Sequence, residues 1–204
     1  MSDAATGGVE VLPCTPDRWD DVVAVFGGPG DPGRCWCQWF QRGAQADRAH
    51  ADANRAALRA QVRERPPGVL GYLDGAPVGW CAVAPRPSYS RLTRSRVRAG
   101  TDPEELADPA VWAVTCFVVR RPARGRGLSA ALLAGAVDLA RRGGARLVEG
   151  YPVDVAARSR VASAELYHGT LQTFLRAGFT EVRRPSPARP VVRLELAQPA
   201  RAHG

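Results

Sequence analysis

Seven consecutive residues, Arg124-Gly125-Arg126-Gly127-Leu128-Ser129-Ala130, have the composition of an anion cradle. Glycines at alternate positions let the backbone turn with positive φ and come close to a ligand. The Ala/Leu-rich stretch that follows, 130–140, reads as a helix, whose start leaves N–H groups unpaired at the positive end of its dipole. Phosphate is a common anion at such a place, and Arg124 and Arg126 can grip it bidentately. Ahead of the loop an apolar, β-branched run, 111–119, reads as a buried strand, so the cradle joins strand to helix.

Other residues could move protons. Glu149 lies in an otherwise apolar strand candidate, where burial would raise its pKa toward neutrality and make it a general base; a carboxylate bonded to Arg146 or to a backbone N–H is the competing reading. Tyr151 shares a strand face with Glu149 by the two-residue period. Tyr151 and Tyr167 are possible general acids, and His168 is a weaker base candidate. Cys116 could be read as an acyl nucleophile, but it has no His in sequence reach and suits a small core hydrophobe. Cys35-Trp36-Cys37-Gln38-Trp39-Phe40 places two thiols among three aromatic rings, yet lacks the partner Cys or His pair that zinc requires; no metal is expected. The stretch is either one wall of an apolar substrate pocket or a seal over the core.

Composition narrows the classes. The chain of 204 residues carries a net charge of +8 without a single Lys, which excludes Schiff-base and Walker A lysine chemistry. No basic run is interleaved with aromatics, so nucleic acid is not expected as a partner. The first ten residues have neither a basic nor an apolar leader segment, no run approaches the length of a membrane span, and five cysteines is an odd number. The expectation is a soluble cytoplasmic protein with reduced thiols and no membrane partner, monomeric or homodimeric.

The elements that must position these groups follow in order. Strand 9–12 precedes a helix through Phe26 capped by Thr15 or Asp17, then a Gly/Pro loop, 27–33, that reads as neither helix nor strand. A helix over 47–65 ends at Pro66-Pro67, with Leu58 and Val62 inward. Segments 68–73 and 76–83 flank Asp74-Gly75, a strong hairpin signal. An irregular insertion, 84–109, is a candidate substrate lid. After the central strand come a helix to Arg142, a parallel strand over 145–152, a short helix 171–177 and a closing hairpin from 179–184 and 191–196. One domain, 1–197, is expected, with a disordered tail, 198–204.

Gly125, Gly127 and Ala130, with Glu149 about twenty residues on, also satisfy the G-x-G-x-x-G/A dinucleotide spelling. Against it, a polar segment, 120–124, separates strand from first glycine, and too little chain follows for a doubly wound sheet. A second spelling, Arg-x-x-Gly-x-Gly/Ala, is met by Arg124 to Ser129, with Ser129 departing from the usual Gly or Ala, and resembles the acyl-CoA pyrophosphate loop of the GNAT N-acyltransferase superfamily. The order of elements and the Ala177-Gly178-Phe179 signature resemble that superfamily over nearly the whole chain. Cys35-Trp36-Cys37 and Glu149-Gly150-Tyr151-Pro152 resemble a bacterial subgroup. The resemblance implies an α/β GNAT fold, a mixed central sheet flanked by helices, and N-acetyl transfer from acetyl-CoA directly to a small-molecule or peptide amine. It implies pyrophosphate held by Arg124, Gly125, Arg126, Gly127, Leu128, Ser129 and Ala130, and the thioester oxygen met by backbone N–H groups of Phe117, Val118 and Val119. Where many relatives carry a Tyr proton donor, this chain has Phe174, and the start of its central strand is apolar. Those departures support the alternative of a catalytically reduced CoA-binding sensor.

Overall fold

The computed structural model describes residues 8–28, 30–43, 46, 50–94, 101–158 and 160–197. Seven strands form one sheet: β1 (Val9–Pro13), β2 (Gly68–Leu73), β3 (Ala76–Pro85), β4 (Val111–Val119), β5 (Leu147–Gly150), β6 (Thr180–Ser186) and β7 (Arg189–Glu195). Their order is β1-β2-β3-β4-β5-β7-β6, and among these pairs only β4 and β5 run parallel. This is the expected mixed sheet, and it is not the doubly wound parallel sheet that a dinucleotide reading requires. The hairpin turns where Asp74-Gly75 lies, with φ of 53° and 77°, the positive values of a type I′ turn.

Helices cover both faces. α1 (Trp19–Phe26) and α4 (Ala51–Glu64) lie on one, where Trp19, Val22, Phe26, Leu58 and Val62 pack with Trp36 and Trp80. Between them are α2 (Asp31–Cys35) and α3 (Trp39–Arg42). α7 (Leu128–Arg142) and α8 (Leu171–Arg176) cover the other, where Leu132, Leu133, Ala136 and Phe174 meet Trp112, Val114 and Phe117 of β4. The insertion after β3 holds α5 (Ser90–Arg94) and α6 (Pro103–Ala107).

Three local expectations need correction. The Gly/Pro loop is partly helical, because Asp31 and Pro32 open α2 and a proline is tolerated in a first turn. Neither Thr15 nor Asp17 caps α1; a 3-10 turn, Pro16–Arg18, comes first and the Thr15 hydroxyl accepts from Arg18 instead. A 3-10 helix, Ser163–His168, was not foreseen at all. The start of the helix expected from Asp47, residues 95–100 of the insertion and the tail 198–204 lie outside the described residues.

The central strand is irregular at one point. Opposite β3, Ala82 pairs Cys116 and Val83 pairs Val114, so Thr115 is an extra residue, a β-bulge. Side-chain parity changes across it: Trp112 and Val114 enter the α7 face before the bulge, Phe117 after it. On its other edge β4 pairs β5 only from Val111 to Val114, because β5 ends at Gly150 and the chain proceeds into Pro152, which has no N–H to continue a ladder. Phe174, fully buried, sits where the strands part, edge-on to Phe117 at 5.9 Å and under Gly150, where a Cβ would lie 2.3 Å from its ring. Gly150→Ala should therefore cost about 1–3 kcal/mol by overpacking, read as a lower urea midpoint at unchanged m; wild-type stability would contradict this packing.

Candidate active site

Beyond Val114 the β5-facing edge of β4 has no strand partner among the described residues; there the His168 ring bonds the Thr115 backbone, and Arg124 the Val119 carbonyl. The strand runs directly into the Arg/Gly loop. Gly125 and Gly127 both have φ of 77°, and nothing lies within 4 Å of where their Cβ atoms would be, which leaves room for a phosphate against the backbone. Gly127 caps α7 without any side-chain cap. The Ala130 N–H bonds the Gly127 carbonyl at 3.0 Å, while the amides of residues 125–129 have no backbone acceptor among the described residues. Arg124 is tethered through its Nε to the Val119 carbonyl, 3.1 Å, and Arg126 stays exposed. The loop thus fits a pyrophosphate.

On the sheet face opposite α7 lies a cavity of about 730 Å³. Because of the bulge, consecutive side chains, Thr115 and Cys116, reach it, followed by Val118. Its far wall is the Cys35–Phe40 stretch, which both walls a cavity and seals the core: Cys35, Cys37, Trp39 and Phe40 line the cavity, while Trp36 is buried and stacks on Phe26 at 5.4 Å. Trp36 and Cys37 adopt φ of 44° and 56°, an arrangement costly for residues with side chains and kept only where surroundings impose it. Here the surroundings are polar. Gln38 and Gln61 exchange hydrogen bonds at 3.2 and 3.1 Å, Gln38 also donates to the Trp36 carbonyl, and the Trp80 indole N–H reaches Cys37 Sγ at 3.4 Å. Asn54, fully buried, donates to the carbonyls of Arg34 and Ala46 and accepts from Arg42.

Of the expected catalytic residues, Tyr167 lines the cavity. Burial, and next the charge of Asp31, hold its phenol above the ordinary value, while Arg124 and Arg121 pull the other way. His168 beside it also lines the cavity, edge-on to Phe40 at 5.4 Å. Burial, with Arg189 near, depresses its pKa to about 4, and its Nδ1 has no partner. Cys116 keeps its proton: its bond with Cys37 and then burial push the thiol well above its usual range, so it is no thiolate nucleophile at neutral pH.

Glu149 and Tyr151 are not brought to the cavity. The Glu149 side chain, 1% exposed, accepts from Arg86 at 2.6 Å and from Arg183 at 3.0 Å, with Arg193 at 3.7 Å. The partner is an arginine, as the competing reading had it, but Arg146 pairs instead with Asp108. A carboxylate whose oxygens are engaged by guanidiniums, one of them fully buried, has no lone pair facing an amine, so the geometry gives a base role for Glu149 no support. Tyr151 packs with Tyr89, Leu92 and Val191, and burial, then the Glu149 charge, hold its phenol well above the ordinary range. Arg86 and Glu105, which also contact each other, belong to the insertion, so the described part of the candidate lid is fastened to the sheet, and Arg91 lies 3.6 Å from the Trp39 ring centroid.

Thr115, Gln38 and Asn54 were missed in the sequence. Asn54 had a signal, since it precedes Leu58 and Val62 at four-residue steps on the buried helix face. Gln38 had one too, a lone amide among aromatics. The bulge at Thr115 has none in a uniformly apolar strand.

Residues 34–168 match the family model described as Acetyltransferase (GNAT) family. The chain belongs to that family. No curated protein sequence matches it. Its fold is similar to agmatine N-acetyltransferase, 15% identical with 93% of this chain and 100% of that one covered, at a TM-score of 0.58. It is similar to yncA of Salmonella typhimurium, solved with its cofactor acetyl-CoA, 15% identical over 94% and 96% of the two chains, TM-score 0.53. The GNAT domain of S. lividans PAT is 19% identical over 92% and 90%, also at 0.53.

Glu149→Gln should destabilise the fold by about 3 kcal/mol, because it leaves the buried Arg86 guanidinium with only the more distant, part-exposed Glu105 as countercharge; unchanged thermal unfolding would contradict the network. The His168 ring gives a pH signature. The unfolded chain takes up that proton near pH 6.5, the folded one only near 4, so the contribution present above pH 6.5 is lost as pH falls toward 4. That loss is up to about 3 kcal/mol, and His168→Gln should flatten this part of the stability profile.

Proposed function

We propose that the protein transfers an acetyl group from acetyl-CoA directly to an amine seated in the cavity. What carries this reading is a continuity: the unpaired edge of β4 leads into the phosphate-type loop, and the side chains of the same strand, Cys116 and Val118, line the cavity. The relatives' solved complexes support the use of CoA, one described with acetyl-CoA and another, paia N-acetyltransferase from Thermoplasma acidophilum, with coenzyme A.

Acetyl-CoA, when bound, supplies an activated acyl carbon attached to sulfur. The amides of residues 125–129 would hold its pyrophosphate, with Arg124 and Arg126 adding charge. The free edge of Phe117, Val118 and Val119 offers N–H groups to the thioester oxygen, where negative charge grows as the amine adds. The new C–N bond forms as the C–S bond breaks, so sulfur must gain a proton and nitrogen must lose one. Tyr167 is the residue we assign as donor to sulfur: it lines the cavity with Cys116 and Val118 of β4, and its phenol is protonated at neutral pH. The proton of the amine leaves to solvent at the cavity mouth. Arg86, Glu149 and Arg183 fix the insertion against the sheet and act as positioning residues.

Phe174 favours the second reading, a CoA-binding sensor, because it removes a hydroxyl from α8. Calorimetry with acetyl-CoA and turnover with an amine panel separate the two. Tyr167→Phe should lower kcat roughly 100-fold with acetyl-CoA affinity retained, whereas Gly127→Glu should abolish acetyl-CoA binding by placing a carboxylate at the phosphate. Acetyl-CoA binding by the wild-type protein with no turnover would establish the sensor, and undiminished binding by Gly127→Glu would remove the loop from the site.

A further inference from the structure

We propose that His168 and Thr115 hold the acceptor's amino group in its neutral form, and that the enzyme therefore takes weakly basic amines; this rests on the acetyl-transfer reading and names its substrate class. Both side chains line the cavity, and each carries a polar atom without a partner among the described residues, Nδ1 of His168 and Oγ1 of Thr115. Thr115 is only 2% exposed. A polar atom buried so deeply is costly unless something pairs with it, so these two atoms mark where a polar group of the ligand belongs. Tyr89, buried beside Thr115, has an unpartnered hydroxyl as well. The unsatisfied groups gather at the bulge, where β4 loses β5.

The state of the imidazole decides what it can receive. The ring bonds the Thr115 backbone, and because Nδ1 is the unpartnered nitrogen, the bonded one is Nε2. That bond favours the protonated ring, as an N–H given to a carbonyl does, so Nδ1 carries the lone pair. Burial and the Arg189 charge outweigh this bond and the nearby Glu165, and the ring is neutral above about pH 4. It accepts an N–H but supplies no countercharge to an ammonium.

The carboxylates that line the cavity among its described residues do not supply one either. Asp31 pairs with Arg34 at 2.7 Å, and Glu165 with Arg158 and Arg189, each at 2.9 Å. An ammonium entering there sheds water and meets only anions that already have cations. A neutral primary amine loses less. Its two N–H groups match Nδ1 and Oγ1, and its lone pair is left for the acyl carbon. With a pKa of about 4 the ring does not keep the proton that nitrogen sheds on acylation, which passes to solvent.

The test is CoA release from acetyl-CoA at pH 7 with aniline, phenylhydrazine and glycinamide against benzylamine, putrescine and spermidine, followed by pH profiles. The weakly basic amines should exceed the strongly basic ones in kcat/KM by about 100-fold or more, the ratio of free-base fractions for pKa values about two units apart. With each strongly basic amine, kcat/KM should rise about tenfold per pH unit toward that amine's own pKa. His168→Phe, which keeps a ring and removes the acceptor atom, should lower kcat/KM about 100-fold, and the isosteric Thr115→Val about tenfold, both with acetyl-CoA affinity retained by calorimetry. The acceptor comparison and the pH limb use the wild-type protein, so they decide the matter even where a variant does not fold. A preference for the strongly basic amines at pH 7, a limb at one pH whatever the amine, or wild-type kcat/KM in both variants would overturn the proposal. If acetyl-CoA is bound and turned over but the strongly basic amines are preferred, only the substrate class falls; if the wild-type protein does not bind acetyl-CoA, the transfer reading falls with it.

Discussion

Everything in the site depends on a strand that loses its partner. β4 is paired on both edges through Val114 and on one edge after it, and the bulge at Thr115 falls at the same place. An interior strand with free backbone groups is costly unless something replaces the missing ladder. Here Phe117 and Phe174 fill the divergence on one face, and a cavity occupies the other. The fold thus leaves one edge of β4 without a ladder on the stretch that leads to the loop where α7 begins. Recognition of an extended ligand by a strand edge needs little from individual side chains, because the donors are backbone.

Rigid support surrounds that opening. Arg86, Glu149, Arg183, Arg193 and Glu105 tie the insertion to β5, β6 and β7 through a network whose centre, Arg86 and Glu149, is out of water. Such networks add specificity of arrangement more readily than net stability. On the cavity side the Gln38–Gln61 pair and Asn54 do the equivalent work with neutral amides, holding a wall whose backbone is strained at Trp36 and Cys37. The two networks use different chemistry for one end: neither the described part of the insertion nor the aromatic wall is a free loop.

Much of this was legible in the residues. Local signals with their own mechanism succeeded, among them Asp74-Gly75 for the turn and the glycines of the Arg/Gly loop, whose positive φ a side chain would oppose. The strand-helix-strand order around that loop fixed the parallel pair. What failed needed tertiary information. Glu149 looked like a base because a carboxylate in an apolar run is conspicuous, yet the guanidiniums that engage it come from residues 86 and 183, distant in sequence. The bulge left no trace in Val111 to Val119, and the helix at Asp31 was hidden by its glycines and prolines. Tyr167 lines the cavity from a 3-10 helix that its sequence did not announce.

Amide hydrogen exchange with and without acetyl-CoA tests the central claim most directly, because it reads the backbone donors themselves. Protection on binding should concentrate at residues 117–119 and 125–129, with the β1–β2 ladder unchanged. Binding that protects other segments and leaves both of those untouched would contradict it.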